Sequence, residues 1–471
     1  MLFSSITFLY FFLPIVLVRY GAVSYKQDTT WKNFVLCVVS CLFYAWGEPV
    51  YVLLMLAQLI IVYSLTYFME KKRESGAGKA LFALSVLIPF ASLFYFKYIG
   101  FFMRELTPWL PWKAGWLKYA DKITLPIGIS FYTFQLTSYC IDVWRGRVKL
   151  QKSFLSLATF VTLFPQLIAG PIVRYSDVEQ ELEERRTTKE DLAQGITRFV
   201  IGLGKKVLIA NVLGEFVAEV MEPEARGLLL SWGYAAAVSL QIYFDFSGYS
   251  DMAIGLGRMF GFHFPENFRY PFISGSLTEF WRRWHMTLGA WFRDYVYIPM
   301  GGNRVKPFRW YINLLTVWFL TGLWHGAGWN FICWGLFFGM LLILEKNLGK
   351  KTSVFSHIYV VIAIIISFLI FHAENMEMAF RDIKALLPGA TLDKTQLEIA
   401  GYMLRNRLGI LIIAILGATP LPSYLWNLVF RLFQNEVLEE MVKAVGIVVI
   451  MILSTAYLID GSFNPFLYFR F

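Results

Sequence analysis

The chain has 471 residues, of which 57% are hydrophobic and 16% are charged, and its formal net charge is +10. A soluble protein carries about a quarter charged residues, so this composition excludes an ordinary soluble domain and favours a helical membrane protein. The positive charge does not indicate nucleic-acid binding, because Lys and Arg of membrane proteins concentrate in cytoplasmic loops.

Apolar segments that approach the ~20 residues needed to cross a bilayer recur along the chain. We expect spans at roughly 2–20, 33–47, 50–69, 79–97, 122–142, 195–220, 227–246, 311–324, 328–345, 354–372, 407–427 and 441–460. Residues 155–173, with Pro165 and Pro171, predict a broken or re-entrant segment, which is tolerated only where protein or a cavity surrounds it. The prediction is an all-α polytopic membrane protein with about 10–12 transmembrane helices, folded as a single domain over residues 1–471.

Basic residues after alternate spans predict which loops are cytoplasmic. They are Arg19, Lys26 and Lys32; Lys71, Lys72 and Arg73; and Arg145, Arg147, Lys149 and Lys152. The most polar stretch, residues 179–191, is expected to be a solvated cytoplasmic helix or loop. The four cysteines lie in apolar segments without metal-ligand spacing, so we expect buried thiols and no metal site.

Residues 241–304 are too polar to cross a bilayer and too aromatic to form a flexible loop. We predict one amphipathic helix over residues 279–295. Its buried stripe would be Phe280, Trp284, Leu288, Trp291 and Tyr295, and its other face Arg282, His285, Gly289 and Arg293. This helix either lies at the membrane interface without a catalytic duty or presents His285 between two guanidinium groups.

Basic side chains outnumber acidic ones around this predicted helix. They are Arg282, Arg283, Arg293, Arg304, Lys306 and Arg309, against Glu279 and Asp294. Such a cluster binds either anionic lipid head groups or the phosphates of a coenzyme, because guanidinium forks match phosphate geometry. Gly301 and Gly302 could add backbone N–H groups to an anion site, although a simple turn is the plainer interpretation.

His325 is the residue that points most directly to chemistry. It lies in the string Thr321-Gly-Leu-Trp-His-Gly-Ala-Gly-Trp329, within a long apolar run. An ionisable side chain at membrane depth is costly and is usually turned inward and used. A neutral imidazole can take a proton from an acceptor hydroxyl near pH 7; the alternative is a structural histidine between helices. The nearby glycines predict close approach of a ligand or another backbone, with Trp324 and Trp329 as candidate walls.

Acidic residues near these motifs are candidates for structural or orienting roles. Asp245 and Asp251 come at the end of the predicted span 227–246. We expect them to pair with arginines or to bond helix ends, the sharper alternative being a carboxylate that orients a histidine. Asp294 and Trp324 are expected to have orienting or structural roles as well.

Four strings of this chain resemble motifs of the membrane-bound O-acyltransferase family. They are Phe280-Trp-Arg-Arg-Trp-His285, Trp291-Phe-Arg-Asp-Tyr295, Pro299-Met-Gly-Gly-Asn-Arg304 and Gly322-Leu-Trp-His-Gly326. They look closest to the bacterial branch that includes the alginate O-acetyltransferase membrane subunit. The start Leu2-Phe-Ser-Ser and the end Asn464–Phe471 are similar to that branch too, so the likeness covers nearly the whole chain.

The resemblance implies a ring of helices around a funnel-like core, with residues 241–345 as its motif-rich part. His325 matches the family's catalytic histidine, and His285 matches a second histidine of this branch. An acyl thioester, expected to be acetyl-CoA, would enter from the cytoplasm at the bacterial cytoplasmic membrane. Its acyl group would leave toward a cell-envelope or secreted polysaccharide such as alginate, through an extracytoplasmic SGNH-type esterase or transferase.

Three further possibilities concern the outer step, the acyl donor and the class of function. Tyr468 in the aromatic end of the chain is a candidate acyl relay, with an interfacial anchor as the alternative. A related family branch exports D-alanine to teichoic acids from a carrier-protein thioester, and the Gly-Gly-Asn-Arg string favours the alginate-type branch over it. A transporter remains open as well, because broken helices and an intramembrane histidine also fit that class.

Overall fold

A computed structural model describes all residues except 25–27, 108–118, 121, 221–225, 350–352, 390–392 and 462–471. Its described residues form helices joined by loops, with no strand among them, which confirms the predicted all-α class. They group into two compact units, residues 1–199 with 251–265 and residues 200–250 with 266–471. The single domain expected from the sequence stays a prediction.

The helices are named in chain order. The first eleven are α1 Leu13–Ser24, α2 Thr29–Gly47, α3 Tyr51–Lys71, α4 Gly76–Leu93, α5 Ile99–Leu106, α6 Ile129–Trp144, α7 Phe154–Thr162, α8 Phe164–Leu167, α9 Tyr175–Glu183, α10 Lys189–Gly204 and α11 Val212–Glu219. The others are α12 Gly227–Met259, α13 Leu277–Trp281, α14 Met286–Phe292, α15 Pro307–His325, α16 Trp329–Leu348, α17 Val354–His372, α18 Met376–Lys384, α19 Lys394–Gly417, α20 Leu421–Phe433 and α21 Glu436–Asp460. Short π-helical segments occur at Phe8–Phe12, Phe94–Tyr98, Lys205–Asn211 and Arg293–Tyr297.

Within the described residues, seven helical stretches are long and apolar enough to cross a membrane. They are Tyr51–Lys71, Gly76–Leu106, Gly227–Met259, Trp329–Leu348, Val354–His372, Lys394–Gly417 and Glu436–Asp460. The protein is therefore a multi-pass helical membrane protein, as predicted. The predicted span 122–142 corresponds to the shorter helix α6, whose residues are almost all buried.

The predicted span 407–427 is wrong. Helix α19 ends at Gly417, and α20 begins at Leu421, directly after Pro420. A proline lacks the backbone N–H that would continue the hydrogen-bond ladder, so the helix stops before it. The apolar run on both sides of this break had suggested one continuous span.

The broken segment predicted at 155–173 is confirmed in the first unit. Helix α7 ends at Thr162, the single turn α8 begins at Phe164, and residues 168–174 have no helical structure. Every residue from 156 to 173 is buried, and the Ser40 hydroxyl accepts a hydrogen bond from the Phe164 backbone N–H. The irregular backbone is thus satisfied by surrounding protein, as a lipid environment requires.

Two basic residues that the sequence analysis placed in solvated segments are buried in the first unit. Lys32 lies inside α2 and donates to the Arg185 carbonyl oxygen at 2.9 Å. The Arg185 guanidinium donates to the Tyr20 hydroxyl at 2.9 Å and to Asn33 Oδ1 at 3.0 Å. The predicted solvent exposure of these two residues is therefore wrong. Neutral oxygens from several helices replace the water that the two charges would otherwise need.

Close backbone packing between α15 and α16 organises part of the second unit. A Cβ atom at Gly335 would overlap the Trp318 carbonyl oxygen, and one at Gly322 would overlap the Phe331 carbonyl oxygen. Small residues allow helix backbones to approach in this way. The predicted close approach at Gly322 is therefore that of another backbone.

A buried ion pair in the same unit leads to the first prediction. Arg226 Nη1 lies 2.8 Å from Asp382 Oδ1, both side chains are 1% exposed, and the guanidinium sits 3.7 Å from the Tyr234 ring centroid. Substitution Arg226→Met leaves the Asp382 carboxylate buried beside an apolar side chain. Because removal of one partner of a buried pair costs about 3–5 kcal/mol, we expect a clear drop in the melting temperature of the detergent-solubilised protein.

The matched control for that prediction is Lys443→Met. Lys443 pairs with Glu440 at 3.2 Å near the start of α21, and the two side chains are 42% and 71% exposed. Its loss therefore leaves no buried charge without a partner. Equal melting temperatures for the two variants would contradict the assignment of a stabilising role to the Arg226–Asp382 pair.

Candidate active site

The segment that carries His285 turns sharply, so the single helix predicted over 279–295 is wrong. Helix α13 ends at Trp281, α14 begins at Met286, and His285 between them has a φ of +42°. Two backbone bonds hold the turn, from the Arg269 N–H to the Arg283 carbonyl at 2.9 Å and from the Met286 N–H to the Asn267 carbonyl at 3.0 Å. Pairing with a distant segment thus overrides the helical spacing of the apolar residues.

The aromatic stripe predicted for this segment is nevertheless buried. The five residues are Phe280, Trp284, Leu288, Trp291 and Tyr295, each at most 8% exposed. The start of α13 is fixed by Glu345 of α16, whose carboxylate accepts the backbone N–H groups of Leu277 and Thr278. A carboxylate at a helix N-terminus satisfies N–H groups that have no partner within the helix. Glu345 thereby ties the turn to α16.

His285 is enclosed by aromatic rings and one amide. Its side chain is 1% exposed, its ring centroid lies 4.7 Å from that of Phe246, and Nδ1 is 3.0 Å from Asn267 Oδ1. Burial lowers the pKa of His285 to about 3, because a charged imidazolium loses its hydration there. The imidazole is therefore neutral at physiological pH.

His325 is the last residue of α15 and is 5% exposed. Its ring centroid lies 5.0 Å from that of Trp324, 5.1 Å from that of Trp334 and 5.2 Å from that of Phe371. The centroid of His285 is 6.4 Å away. The two histidines proposed from the sequence are thus neighbours, although 40 positions in the printed sequence separate them.

A cavity of about 910 Å³ adjoins His285, whereas His325 is not among its lining residues. His285, Trp281 and Thr321 line it, and Thr321 lies one helical turn before His325. Its charged lining residues are Arg282, Arg293, Glu345 and Lys346. The lining thus carries three cationic side chains and one carboxylate, and both oxygens of that carboxylate accept hydrogen bonds from α13.

The arginines predicted to bind phosphate separate into two groups. Arg282 and Arg293 line the cavity, and Arg293 also pairs with the buried Asp294 at 2.7 Å. Arg283 instead pairs with Glu279 at 2.9 Å. The exposed Arg304 follows a turn and is not among the residues that line this cavity.

Gly301 and Gly302 form that turn, with φ of +100° and +57°. Their N–H groups donate to the carbonyl oxygens of Ile298 and Tyr297. Because a donated N–H is not available to an anion, the simple-turn interpretation is confirmed, and the pair does not form the anion site considered from the sequence.

Comparison with known proteins decides the family. The model of the membrane-bound O-acyltransferase family matches residues 149–379. A probable alginate O-acetylase, AlgI, of Pseudomonas aeruginosa is 39% identical over 407 residues, which are 85% of this chain and 77% of that protein. The chain belongs to the membrane-bound O-acyltransferase family. It is therefore an O-acyltransferase, and both histidines and the cavity lie within the matched stretch.

Two other members of the family match along the entire chain. A probable alginate O-acetylase, AlgI, of Azotobacter vinelandii is 36% identical, with 100% of both chains covered. A peptidoglycan O-acetyltransferase of Helicobacter pylori is 29% identical, with 100% of this chain and 98% of that protein covered. Family membership favours acyl transfer over the transporter alternative.

The aspartates expected to orient the site lie inside α12, which continues to Met259, and not at its end. Asp245 pairs with Lys206 at 2.7 Å, and both side chains are buried. Asp251 pairs with Arg198 at 2.9 Å, in agreement with the predicted arginine partner. Both aspartates form ion pairs, and an orienting role for either stays a prediction.

Several residues around the histidines differ from expectation. Trp324 is buried beside His325, as proposed, but Trp329 is 52% exposed and does not wall the site. Asn330, the next residue in the chain, donates a hydrogen bond from Nδ2 to the Ala373 carbonyl oxygen at 2.9 Å. Tyr468 lies outside the described residues. Among those residues, no cluster of His, Cys, Asp and Glu is arranged to hold a metal ion.

Sequence reasoning missed three contacts of the histidines, those made by Asn267, Trp334 and Phe371. Trp334 and Phe371 lie in apolar segments, where an aromatic residue is typical of any membrane span and does not indicate a contact with a histidine. Asn267 does carry a signal, because it is a polar residue within the aromatic, proline-flanked string Pro265–Pro271. Asn267 is fully buried, as expected of a polar residue that has a specific hydrogen-bonding role.

Proposed function

We propose that this protein takes an acetyl group from acetyl-CoA on the cytoplasmic side and passes it across the bacterial cytoplasmic membrane for O-acetylation of a polysaccharide. His325 is the general base, and His285 assists at the same site. The observation that carries the proposal is a pair of buried histidines whose ring centroids are 6.4 Å apart. One of them, His285, lines a cavity of about 910 Å³ that also has cationic lining residues.

The chemistry requires a base protected from water. A hydroxyl that attacks a thioester carbonyl must lose its proton as the new C–O bond forms, and the thiolate leaves when the C–S bond breaks. A positioned imidazole that takes this proton contributes about 10²–10⁴-fold to the rate. The aromatic enclosure of His325 supports this role, because Trp324, Trp334 and Phe371 limit the access of water that would hydrolyse the thioester.

The cavity supports a coenzyme thioester as the donor. Arg282, Arg293 and Lys346 can attract the phosphates of acetyl-CoA, since a guanidinium binds phosphate through a bidentate fork. The volume falls within the range of about 300–1,000 Å³ that small-molecule sites occupy. A role of Arg283 and Arg304 in donor or phosphate binding stays a prediction.

The acceptor side of the proposal rests on the relatives. Proteins named for alginate and for peptidoglycan O-acetylation are similar to this chain over most or all of its length. A cell-envelope or secreted polysaccharide is therefore the proposed acceptor, reached through an extracytoplasmic SGNH-type partner. Relay of the acetyl group through Tyr468 stays a prediction.

The donor site yields a second prediction. Substitutions Arg282→Gln and Arg293→Gln should each raise the KM for acetyl-CoA about 10-fold or more, because a hydrogen bond to a charged group contributes about 1.5–3 kcal/mol. The maximal rate should fall less. Initial rates of transfer from labelled acetyl-CoA in proteoliposomes give both constants.

The control removes the same charge elsewhere. Arg431 is an exposed residue of α20 that does not line the cavity, so Arg431→Gln should leave the KM unchanged. An unchanged KM in both cavity variants would rule out a contribution of these guanidinium groups to donor binding.

D-alanyl transfer is the second candidate function, because it too uses a thioester donor. An assay with purified protein separates the two functions. It contains acetyl-CoA as the sole acyl donor, together with the outer partner and a glycan acceptor. Ester-linked acetate on the glycan supports the proposal. Transfer that requires a D-alanyl carrier protein, with no use of acetyl-CoA, would replace the proposal by the second function.

A further inference from the structure

The side-chain amide of Asn267 has an orientation that its neighbours determine. Its Oδ1 atom lies 3.0 Å from His285 Nδ1, 2.9 Å from Thr287 Oγ1 and 3.4 Å from the Thr287 backbone nitrogen. A backbone N–H can only donate, so the atom that faces it must be the amide oxygen. The amide nitrogen on the other side donates to Ser250 Oγ at 3.0 Å.

This orientation determines the protonation of His285. An amide oxygen only accepts hydrogen bonds, so the imidazole nitrogen that faces it must carry the proton. The neutral ring then has hydrogen on Nδ1 and a lone pair on Nε2. Asn267 is 0% exposed and His285 is 1% exposed, so bulk water does not offer Nδ1 a competing acceptor.

The turn itself does not depend on this amide. The backbone bonds Met286 N–H to Asn267 carbonyl and Arg269 N–H to Arg283 carbonyl join the two segments through main-chain atoms alone. A side chain of similar size at position 267 can therefore keep the turn while it changes the partner of His285. This separates a structural role of the segment from a chemical role of the side chain.

We propose that Asn267 is a positioning residue that holds His285 in its Nδ1–H tautomer, so that Nε2 acts at the cavity only as an acceptor of a hydrogen bond or proton. The donor that faces Nε2 belongs to a ligand in the cavity. It is either the amide N–H of a pantetheine-type thioester or a hydroxyl. No covalent step occurs at His285. The catalytic importance of this arrangement rests on the proposed acyl transfer, whereas the tautomer itself does not.

The tautomer is testable without any acyl-transfer assay. The chain has five histidines, so 15N-histidine solid-state NMR of the membrane-reconstituted protein gives few resonances, and His285→Gln identifies those of His285. We expect a neutral ring protonated on Nδ1 in the wild type and in Thr287→Ser. A neutral ring protonated on Nε2, or a charged ring at pH 7, would overturn the inference.

Position 267 also provides a readout in the pH profile. In Asn267→Asp a carboxylate keeps the Nδ1–H bond and raises the pKa of His285, by about 1–3 units for a close opposite charge. A raised pKa means that the ring stays protonated to a higher pH, so Nε2 loses its lone pair on the acid side. The acid limb of the activity profile should therefore move to higher pH, with activity recovered by neutral pH.

The other titratable and charged side chains of the site are unchanged in this variant. They are His325 of α15, Arg282 and Arg293 on either side of His285, and Glu345 and Lys346 of α16. Asn267→Leu, which offers no acceptor, should lower kcat about 10-fold or more at every pH, by analogy with residues that orient histidine ligands. Variants are compared at equal amounts of folded protein.

The outcomes distinguish this inference from the proposed function. A wild-type protein that shows the Nδ1–H tautomer but transfers no acetyl group would leave the inference standing and reject the function. Full activity of Asn267→Leu with an unaltered pH profile in Asn267→Asp would reject a positioning role, even if acetyl transfer is confirmed.

Discussion

The substitution His325→Ala is expected to lower acetyl transfer at least about 100-fold, since a positioned general base contributes about 10²–10⁴-fold. His325 is enclosed by Trp324, Trp334 and Phe371. After substitution by alanine, the imidazole that remains beside this position is that of His285. The KM for the donor should change little, because the cationic lining of the cavity is intact. Initial rates with labelled acetyl-CoA in proteoliposomes measure both quantities.

The control for this prediction is His357→Ala. His357 is exposed in α17 and its Nδ1 contacts the Ser353 carbonyl oxygen at 3.0 Å, so its loss should leave the rate unchanged. A His325→Ala protein that folds normally and keeps more than a tenth of the wild-type rate would exclude His325 as the base.

The second large effect is expected from Gly335→Ala. A Cβ atom at this position would overlap the backbone oxygen of Trp318 and crowd Gly322, so α15 and α16 must separate. Overpacking of this kind costs about 1–3 kcal/mol, occasionally more. Because α15 ends at His325, we expect both a lower melting temperature and a large loss of activity, although no group of the site is altered.

Gly409→Ala is the control, since an added Cβ there meets no atom within 4 Å. Alanine is favoured over glycine inside a helix by about 1 kcal/mol, so this variant should be unchanged or slightly more stable. Equal stability of the Gly335 and Gly409 variants would show that contact between the two helices tolerates a methyl group and does not position His325.

The sequence predicted the helical membrane class and proposed the two candidate histidines, because both inferences depend on local composition and short motifs. Apolar length located six of the seven helical stretches that are long enough to cross a membrane among the described residues. The rarity of ionisable side chains in apolar segments singled out His325. The Phe280–His285 motif indicated the family, which identified the second histidine. The structure then brought His285 and His325 together, a proximity that neither motif contains by itself.

What could not be predicted depends on contacts between distant segments. The spacing of Phe280, Trp284 and Leu288 is that of a helix, yet backbone bonds from Asn267 and Arg269 force a turn between them. Likewise, charge alone placed Arg185 in solvent, whereas Tyr20 and Asn33 provide buried acceptors for its guanidinium. In each case the deciding partner lies far away in sequence, and single-sequence periodicity contains no information about it.

The central claim is that His325 drives O-acetylation of a polysaccharide. The most direct measurement is ester-linked acetate on cell-envelope and secreted glycans from a deletion strain that carries either the wild type or His325→Ala, at matched protein levels in the membrane. The account predicts acetate with the wild type and its loss with the variant. Equal acetate in both strains would contradict the role of His325, and absence of acetate in both would contradict the proposed reaction.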